Sequence, residues 1–355
     1  MAIRIQGATT TLQKSWSMSQ SPPFAADHPH HLDLAIINNM RDAAKGATER
    51  QYLRLLAAAS DGFVVRITFY SLTDTASHHE QATGDIQYRS IATLWEQHLD
   101  AVIVTGTEPK AADLKKEPYW SSLTHTVDWC HDNVSSVIFS CLAAHAAVLH
   151  RDGIKRQPLP QKCFGIFPCG LVTWHPLLAG MALPLLVQHS RWNALAPAQL
   201  QSAGYSVLTA STAAGADIFV KNDKCLSLFF QGHPEYAQDT LMREYRRDVA
   251  RYLKNESNRY PALPEGCIGD SDAAALLAFR DRALAEPHLV GSLPLPSAPA
   301  HQFHSHARRL YRNWLTTLAA LKARRLRSKA QHNRNNFTPH RVARRVDGAR
   351  SRRSI

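Results

Sequence analysis

The sequence predicts an α/β protein built on a doubly wound, mostly parallel β-sheet. Uncharged, apolar runs rich in β-branched residues recur along the first half of the chain, and such runs are typical of strands buried on both faces. Segments with helical spacing, or rich in Ala and Leu, separate these runs. This alternation favours parallel strands that are joined by helical crossovers.

The predicted elements follow one another in a regular order. Strands are predicted at residues 32–40, 64–72, 101–106 and 134–140, and helices at 47–60, 89–99, 119–132 and 141–150. After Gly153 the pattern loosens, because prolines interrupt several short apolar runs. Residues 216–220 and 225–231 predict a hairpin, and further helices are predicted at 240–253, 271–286 and 306–327.

The 355-residue chain has a net charge of +12, and its excess basic residues are concentrated at one end. Residues 321–355 contain 12 Lys and Arg against Asp347 alone, so the rest of the chain is almost neutral. We therefore predict a flexible N-terminal arm at residues 1–31, one α/β domain at residues 32–320 and a disordered basic tail at residues 321–355. Solvation or loose polyanion binding is the favoured role of the tail, rather than dedicated nucleic-acid binding.

The cysteines and the hydropathy pattern indicate the compartment. None of the 6 cysteines forms a C-x-x-C pair, and their spacing suggests neither a zinc site nor a disulfide framework. A reducing compartment is the simpler interpretation. No apolar run reaches the length of a membrane span, and no apolar segment follows the N-terminal charges as in a secretory signal. We expect a cytoplasmic protein with no membrane partner, no metal and no bound cofactor.

Cys141 lies at the junction of a predicted strand and a predicted helix. A side chain at such a turn stands at the carboxyl edge of the sheet, where open α/β sheets bind ligands. The positive end of the following helix favours a thiolate and a neighbouring oxyanion. Cys141 is therefore a candidate nucleophile on a strand–turn–helix elbow. The alternative is a buried structural cysteine.

His233 and Glu235 follow the second strand of the predicted hairpin. In an extended segment, residues two apart project to the same side, so the imidazole and the carboxylate can lie together. A carboxylate neighbour fixes the tautomer of a histidine and stabilises its protonated form, as a general base requires. With Cys141 they form a candidate nucleophile–base–orienter set. The alternative is that the His-Pro pair only ends the strand.

These residues carry a resemblance to a known family. The chain has a strand–Cys–helix unit followed later by a strand that ends in Gly-His-Pro-Glu-Tyr. This order resembles that of the homoserine O-acyltransferases (homoserine O-succinyltransferases) of methionine biosynthesis. The resemblance extends from about residue 32 to residue 253. Collinear matches also lie at residues 38–40, 51–56, 102–106, 119–120, 189–191 and 247–248, with a further patch at 313–315. The resemblance implies a class I glutamine amidotransferase-like fold (three-layer, flavodoxin-like) and a homodimer.

The resemblance also implies roles for individual residues. Cys141 matches the acyl-accepting nucleophile of the family, His233 its base and Glu235 the third member. Three others match its substrate-binding positions, and they are Lys162, Ser190 and Arg247. A guanidinium at 247 suits the carboxylate of an amino acid, since it offers a fork of donors.

The chain departs from the family pattern at several positions. The family commonly has Trp and Gln where this chain has Leu142 and His145. Lys110 falls where succinyl-specific members carry Gly and acetyl-specific members Glu, so it is a candidate acyl-specificity residue. A lysine would attract the free carboxylate of a succinyl group, and we therefore favour succinyl-CoA over acetyl-CoA as the co-substrate. Lys45 is a candidate for a further lysine of the family.

The resemblance implies acyl transfer from acyl-CoA to L-homoserine through a thioester on Cys141. Two alternatives remain at this point. The first is a glutamine amidotransferase-type hydrolase with the same three residues, for which a partner synthetase would be needed. The second is a non-catalytic relative whose basic tail binds nucleic acid, which predicts salt-sensitive binding that disappears when residues 321–355 are deleted.

Overall fold

A central, mostly parallel β-sheet organises the molecule. A computed structural model describes residues 2–8, 28–72, 86–286, 293–294 and 303–336. The strands are β1 (Ala2–Ile5), β2 (His31–Ile37), β3 (Val64–Ser71), β4 (Arg89–Ser90), β5 (Ala101–Val104), β6 (Ser136–Ser140), β7 (Gln157–Leu171), β8 (Leu185–Ala194), β9 (Ser206–Val207), β10 (Thr209–Ser211), β11 (Gly215–Ala216), β12 (Ile218–Asn222) and β13 (Leu226–Phe230). The helices are α1 (Asp42–Ala59), α2 (Trp120–Asn133), α3 (Leu142–Asp152), α4 (Pro197–Ser202), α5 (Thr240–Leu253), α6 (Asp270–Ala285) and α7 (Phe303–Asn336).

The order of the strands confirms the predicted doubly wound sheet. Over the described residues the central sheet has 9 strands in the order β1-β3-β2-β5-β6-β13-β12-β9, and β4 pairs with β3. The pairs from β1 to β13 are parallel, whereas β12 and β9 are antiparallel to their neighbours. From β2 the chain adds β3 on one side and β5 on the other, so the carboxyl ends of β2 and β5 flank a topological switch point, where open α/β sheets bind ligands.

Helices cover both faces of this sheet and make it the middle of three layers. Along β2, Leu34 and Ile36 face the cluster that contains residues of α1 and α7. Ala35 and Ile37 face the opposite cluster, to which α2 and α3 contribute. Both faces of the strand are therefore dry from residue 34 to residue 37, which explains the uncharged sequence of that part. A fully buried Leu or Ile side chain contributes about 1.5–3 kcal/mol to stability.

A second, four-stranded sheet has the order β11-β10-β7-β8. Its long antiparallel hairpin, β7–β8, pairs Cys163 with Arg191 and Phe164 with Ser190. The register shifts between Pro158 and Cys163, because a proline in this stretch cannot donate to the ladder. This hairpin carries Lys162 and Ser190 to the same neighbourhood. The sequence predicted only short strands in this region.

The N-terminal arm predicted at residues 1–31 needs correction at both of its ends. β1 joins the sheet beside β3, and Ile3 and Ile5 are buried there because the Ile-Arg-Ile alternation suits a strand with one face on the core. β2 already begins at His31, which is 6% exposed. Residues 9–27 of the predicted arm lie outside the described residues.

The predicted boundary of the basic tail at residue 321 also needs correction. Helix α7 continues to Asn336, and the ammonium group of Lys322, which is 5% exposed, donates to Asp100 Oδ2 at 2.8 Å. Arg325 Nη2 donates to the other oxygen of the same carboxylate at 3.0 Å. Lys322 and Arg325 therefore neutralise the buried carboxylate of Asp100. Residues 337–355 lie outside the described residues, and along the described ones no helix has both the length and the apolarity of a bilayer span.

Candidate active site

Cys141 occupies a strained elbow between β6 and α3. Its φ of +50° and ψ of −110° are unusual for a residue with a side chain, and such strain costs about 1–3 kcal/mol. A hydrogen bond from the Cys141 N–H to Phe230 O, at 2.7 Å, holds the turn. The sulfur side chain is half-buried, at the N-terminus of α3. Strain that the fold sustains at a half-buried cysteine is typical of a functional position.

Gly106 allows the loop after β5 to approach this elbow closely. A Cβ at position 106 would lie 3.0 Å from Leu142 N and 3.1 Å from Ser140 O. Both are backbone atoms of the elbow, so a side chain at 106 would push the turn away. The N–H of Leu142 is the first of the helix and has no intrahelical acceptor by geometry. The loop and the helix start thus enclose a small space beside the sulfur.

His233 and Glu235 reach the same edge because β13 lies parallel to β6. Phe230 pairs with Ser140, so the residues that follow each strand leave the sheet side by side. His233 Nδ1 lies 2.8 Å from Glu235 Oε1, and the Cys141 side chain lies close enough to the imidazole to raise its pKa. Sulfur, imidazole and carboxylate therefore follow one another in series, in the arrangement predicted from the sequence.

The electrostatic surroundings favour a protonated His233. Burial by itself lowers the pKa of His233, but the Glu235 carboxylate and the Cys141 sulfur more than offset this and raise that pKa well above 6.5. Tyr236 stacks on the imidazole with ring centroids 4.0 Å apart. The imidazole is thereby held in one orientation, with its charge stabilised from two sides.

Buried hydroxyl groups stand behind Glu235. Its Oε2 is buried and has no hydrogen-bond partner within the described residues, and the same holds for the hydroxyls of Tyr52 and Tyr311. Burial, and then the Glu235 charge, raise the pKa of both tyrosines. Both phenols stay protonated at neutral pH, so the two tyrosines near enough to be affected by the Glu235 charge are neutral.

A cavity of about 940 Å³ opens over these residues. Its lining includes Cys141, His233 and Glu235 together with residues of the β7–β8 hairpin and of α5. The three predicted substrate-binding residues also line it, and they are Lys162, Ser190 and Arg247. The predicted catalytic and binding residues therefore share one cavity. Among the described residues, no cluster of His, Cys, Asp and Glu could hold a metal ion.

Comparison with known proteins identifies the family. The family model of homoserine O-succinyltransferase matches residues 7–323. The chain belongs to this family. A homoserine O-succinyltransferase from Rhodopseudomonas palustris is 45% identical over 295 residues, which cover 81% of this chain and 89% of that relative. One from Methylorubrum extorquens is 42% identical over 299 residues, which cover 81% and 87% of the two chains. The resemblance inferred from the motifs is confirmed.

The likeness to solved structures is weaker. A glutamine amidotransferase from Thermotoga maritima overlaps 82% of this chain and 99% of its own, with 10% sequence identity and a TM-score of 0.47. An overlap of this quality carries no inference about activity. The sheet order described above establishes the fold class independently.

The polar cluster around the predicted substrate-binding residues is centred on α5. Lys162 Nζ lies 2.9 Å from Asp248 Oδ2 and 3.7 Å from the Glu244 carboxylate. Ser190 Oγ donates to Glu244, and Arg247 Nε donates to Asp248 Oδ1 at 2.8 Å. Two carboxylates and two cations thus alternate across this wall of the cavity, which suits a ligand with both an ammonium and a carboxylate group.

Sequence reasoning missed some members of this cluster. Glu244 accepts hydrogen bonds from Ser190 and also from the Tyr236 hydroxyl, at 2.6 Å, so it connects the binding wall to the residues beside His233. The signal was present in the helix: Glu244, Asp248 and Arg251 are spaced to share one face. The sequence analysis predicts only a helix at residues 240–253, without a role for these side chains.

Lys110 lies apart from this arrangement. Its side chain is exposed, and it is absent from the cavity lining formed by the described residues. Its backbone N–H and that of Ala111 both donate to Glu117 Oε1, each at 2.6 Å. Lys45 is likewise outside the lining, with its ammonium group 5.6 Å from the centre of the Tyr88 ring. The structure therefore gives Lys110 a place in a loop near the cavity rather than in its wall.

His145, where the family commonly has Gln, is buried in α3 and borders the cavity. Its Nε2 lies 3.0 Å from Gln231 Oε1, which already accepts from Leu195 N, while the Gln231 amide nitrogen donates to Ala216 O. Gln231 Oε1 is thus an acceptor, so His145 Nε2 carries the proton. Burial, with a smaller contribution from the Arg191 charge, lowers the pKa of His145 to about 3.

The depressed pKa of His145 predicts an acid-sensitive contribution to folding. Below its unfolded pKa of about 6.5, the unfolded histidine binds a proton that the folded one refuses until about pH 3, so stability falls as the pH falls through this window. At about pH 5 the loss is about 2 kcal/mol. His145→Gln is expected to remove it, so the variant should lose about 2 kcal/mol less free energy of unfolding than the wild type between about pH 7.5 and pH 5.

Urea denaturation at both pH values measures this difference. The matched control is Val148→Ala, which changes a buried residue of the same helix without adding or removing a titratable group and should keep the pH dependence of the wild type. Equal acid sensitivity in His145→Gln and the wild type would contradict the assignment.

Proposed function

We propose that the chain transfers a succinyl group from succinyl-CoA to the hydroxyl of L-homoserine, through a thioester on Cys141, as a step of methionine biosynthesis in the cytoplasm. The observation that carries the proposal is the series of sulfur, imidazole and carboxylate at one edge of a large cavity. The name shared by the relatives supports the reaction class. The homodimer inferred from the resemblance stays a prediction.

In the first half-reaction the Cys141 thiolate attacks the thioester carbonyl of succinyl-CoA. The new carbon–sulfur bond forms as the carbonyl becomes an oxyanion, and the N–H of Leu142 at the helix start is positioned to donate to it. The oxyanion then collapses, and the bond to the coenzyme A sulfur breaks. Protonated His233 supplies the proton to that leaving thiolate, which leaves the imidazole neutral.

In the second half-reaction neutral His233 removes the proton from the homoserine hydroxyl as its oxygen attacks the Cys141 thioester. The Cys141 thiolate leaves, and the imidazolium–thiolate pair is restored. Arg247 is suited to the carboxylate of homoserine, and Glu244 to its ammonium group. Because water competes for the same thioester, these anchors favour transfer over hydrolysis by holding the hydroxyl in position.

The two half-reactions can be separated experimentally. Incubation with succinyl-CoA alone should add one succinyl group to the protein, visible by mass spectrometry, and subsequent L-homoserine should remove it as O-succinylhomoserine. Initial rates should follow a ping-pong pattern. Cys141→Ala is the control and should show no adduct. The absence of an adduct on the wild type, or an adduct that survives in Cys141→Ala, would rule the proposal out.

A glutaminase remains the rival with the same three residues. It predicts that L-glutamine, rather than an acyl-CoA, forms the covalent adduct and that ammonia is released. The same mass-spectrometric assay with L-glutamine distinguishes the two. The cavity is lined by 7 Lys and Arg side chains against 5 Asp and Glu side chains, and this excess of positive charge favours an anionic acyl donor over the neutral amide of glutamine.

A further inference from the structure

Arg156 lines the same cavity as Cys141 and lies just before strand β7 begins. Its side chain is half-buried. The described hydrogen bonds of its guanidinium both come from Nη2, which donates to Ala112 O at 3.1 Å and to Ala111 O at 3.5 Å. A guanidinium has five N–H donors in a planar fork, so most of those of Arg156 remain for a ligand.

The other partly or fully buried cations of the cavity are already engaged. Lys162 is paired with Asp248, and Arg251 makes two hydrogen bonds to Glu108 at 2.9 and 3.0 Å. These pairs cancel most of their charge locally. They leave little attraction for a further anion.

Arg191 has no carboxylate within 4 Å among the described residues, but each of its three guanidinium nitrogens already donates a hydrogen bond. Nη1 donates to Asn193 O, Nη2 to Ala214 O and Nε to His189 Nδ1. The side chain is 4% exposed, so it supports the hairpin from inside. Arg191 is therefore a structural cation.

Lys162 and Arg251 have a carboxylate partner, and each nitrogen of the Arg191 guanidinium already donates, so Arg156 differs from all three cations. It has no carboxylate within 4 Å in the described part of the chain, and it keeps unused donors. Burial lowers the pKa of Arg156, and Tyr119, Glu117 and Cys141 offset part of that effect. The Glu117 carboxylate, which could neutralise it, is turned to the backbone N–H groups of the loop at 110–111. An anionic ligand beside Cys141 would supply the missing partner.

We propose that Arg156 binds the terminal carboxylate of the succinyl group and so selects a donor that carries a free carboxylate. The inference rests on the proposed function. In succinyl-CoA two methylene groups separate this carboxylate from the carbonyl that Cys141 attacks, so both groups must be bound within one small space. Arg156 and Cys141 line the same cavity, and a guanidinium can bind a carboxylate with two parallel hydrogen bonds.

The loop that carries Lys110 then has an indirect role. Its carbonyls at Ala111 and Ala112 hold the Arg156 guanidinium, while Glu117 holds the N–H groups of the same loop. A change at position 110 would move these carbonyls and so reorient Arg156. Lys110 is a positioning residue in this arrangement, and Arg156 makes the contact with the acyl group.

The test compares two donors that differ only at the end of the acyl chain. Succinyl-CoA and butyryl-CoA have equally long chains, but the latter ends in a methyl group. For Arg156→Gln, we expect kcat/KM for coenzyme A release from succinyl-CoA to fall about 10- to 100-fold, with less than about 3-fold change for butyryl-CoA. Arg156→Lys keeps the charge without the fork and should lose about 10-fold with succinyl-CoA alone.

Lys155→Gln is the matched control. It removes the same charge from an exposed neighbour outside the cavity lining, so both donors should change by less than about 2-fold. Circular dichroism checks that each variant folds. If Arg156→Gln does not fold, the kinetics of Arg156→Lys decide the question.

The outcomes separate this inference from the proposed function. An equal loss with both donors would assign Arg156 to the thiolate or to coenzyme A itself and overturn the inference, as would unchanged kinetics in both variants. A wild type that prefers neither donor would overturn it as well. If the wild type forms no Cys141 adduct with any acyl-CoA, the proposed function fails, and the inference fails with it.

Discussion

His233→Asn is expected to slow overall acyl transfer by about 10³- to 10⁴-fold while leaving the fold intact. Asparagine is smaller, and its amide group can replace Nδ1 in the contact with Glu235, but it can neither carry a positive charge beside Cys141 nor take a proton from the acceptor. The substitution removes a different function of the imidazole from each half-reaction. Acylation loses the cation that stabilises the thiolate, and transfer loses the base.

A pH series tells these losses apart. Without the imidazolium, formation of the Cys141 thiolate depends on the pH of the solvent, so the rate of adduct formation from succinyl-CoA should recover as the pH rises. Discharge of the adduct to homoserine should not recover, because the alcohol stays protonated throughout this range. Single-turnover mass spectrometry measures both steps. A variant in which discharge recovers in parallel with acylation would show that His233 is not the base.

The fold was predictable wherever a segment is buried on both faces. The run 101–106 has no charge and no alternation, and β5 is fully buried at Ala101–Val104. The segment 89–99 was predicted as a helix, but it forms the short strand β4 and one 3₁₀ turn at Ile91–Leu94. Ser90 caps that turn, and the buried Leu94 and Leu99 anchor it in the core. In that segment tertiary contacts override a weak helical preference.

The second sheet was not predictable for a different reason. Pro158, Pro160 and Pro168 punctuate β7, and prolines in sequence argue against a long strand. The hairpin tolerates them because part of it is exposed and its register shifts between Pro158 and Cys163. Local sequence carries no information about such a compensation.

In the candidate site, too, residues fixed by the local sequence were predictable and residues fixed by tertiary packing were not. Cys141 and His233 were predictable because each directly follows a strand, and the carboxyl ends of neighbouring parallel strands meet at one edge. Arg156 and Glu244 were not, since their contacts depend on how the β7–β8 hairpin and α5 pack across that edge. Lys110 is predicted as an acyl-specificity residue from its place in the family pattern. Such a pattern gives the position of a residue in the sequence but not the direction of its side chain.

Glu235→Gln is expected to reduce kcat by about 10³-fold with little change in thermal stability. The amide oxygen can still accept the hydrogen bond that His233 Nδ1 donates, so the geometry survives. The negative charge that stabilises the imidazolium is lost. Burial lowers the pKa of His233, and Glu235 is the largest of the effects that raise it. Removing the carboxylate charge therefore lowers that pKa.

The sign of the pH effect follows from this change. The thiolate–imidazolium pair exists only below the pKa of His233, so in Glu235→Gln the imidazolium should be lost at lower pH than in the wild type. The alkaline limb of the acylation profile should move to lower pH, measured as adduct formation from succinyl-CoA in a pH series. Glu96→Gln, an exposed carboxylate outside the cavity lining, is the matched control and should leave the profile in place. An alkaline limb that stays fixed in Glu235→Gln would mean that this carboxylate orients the imidazole without tuning its charge.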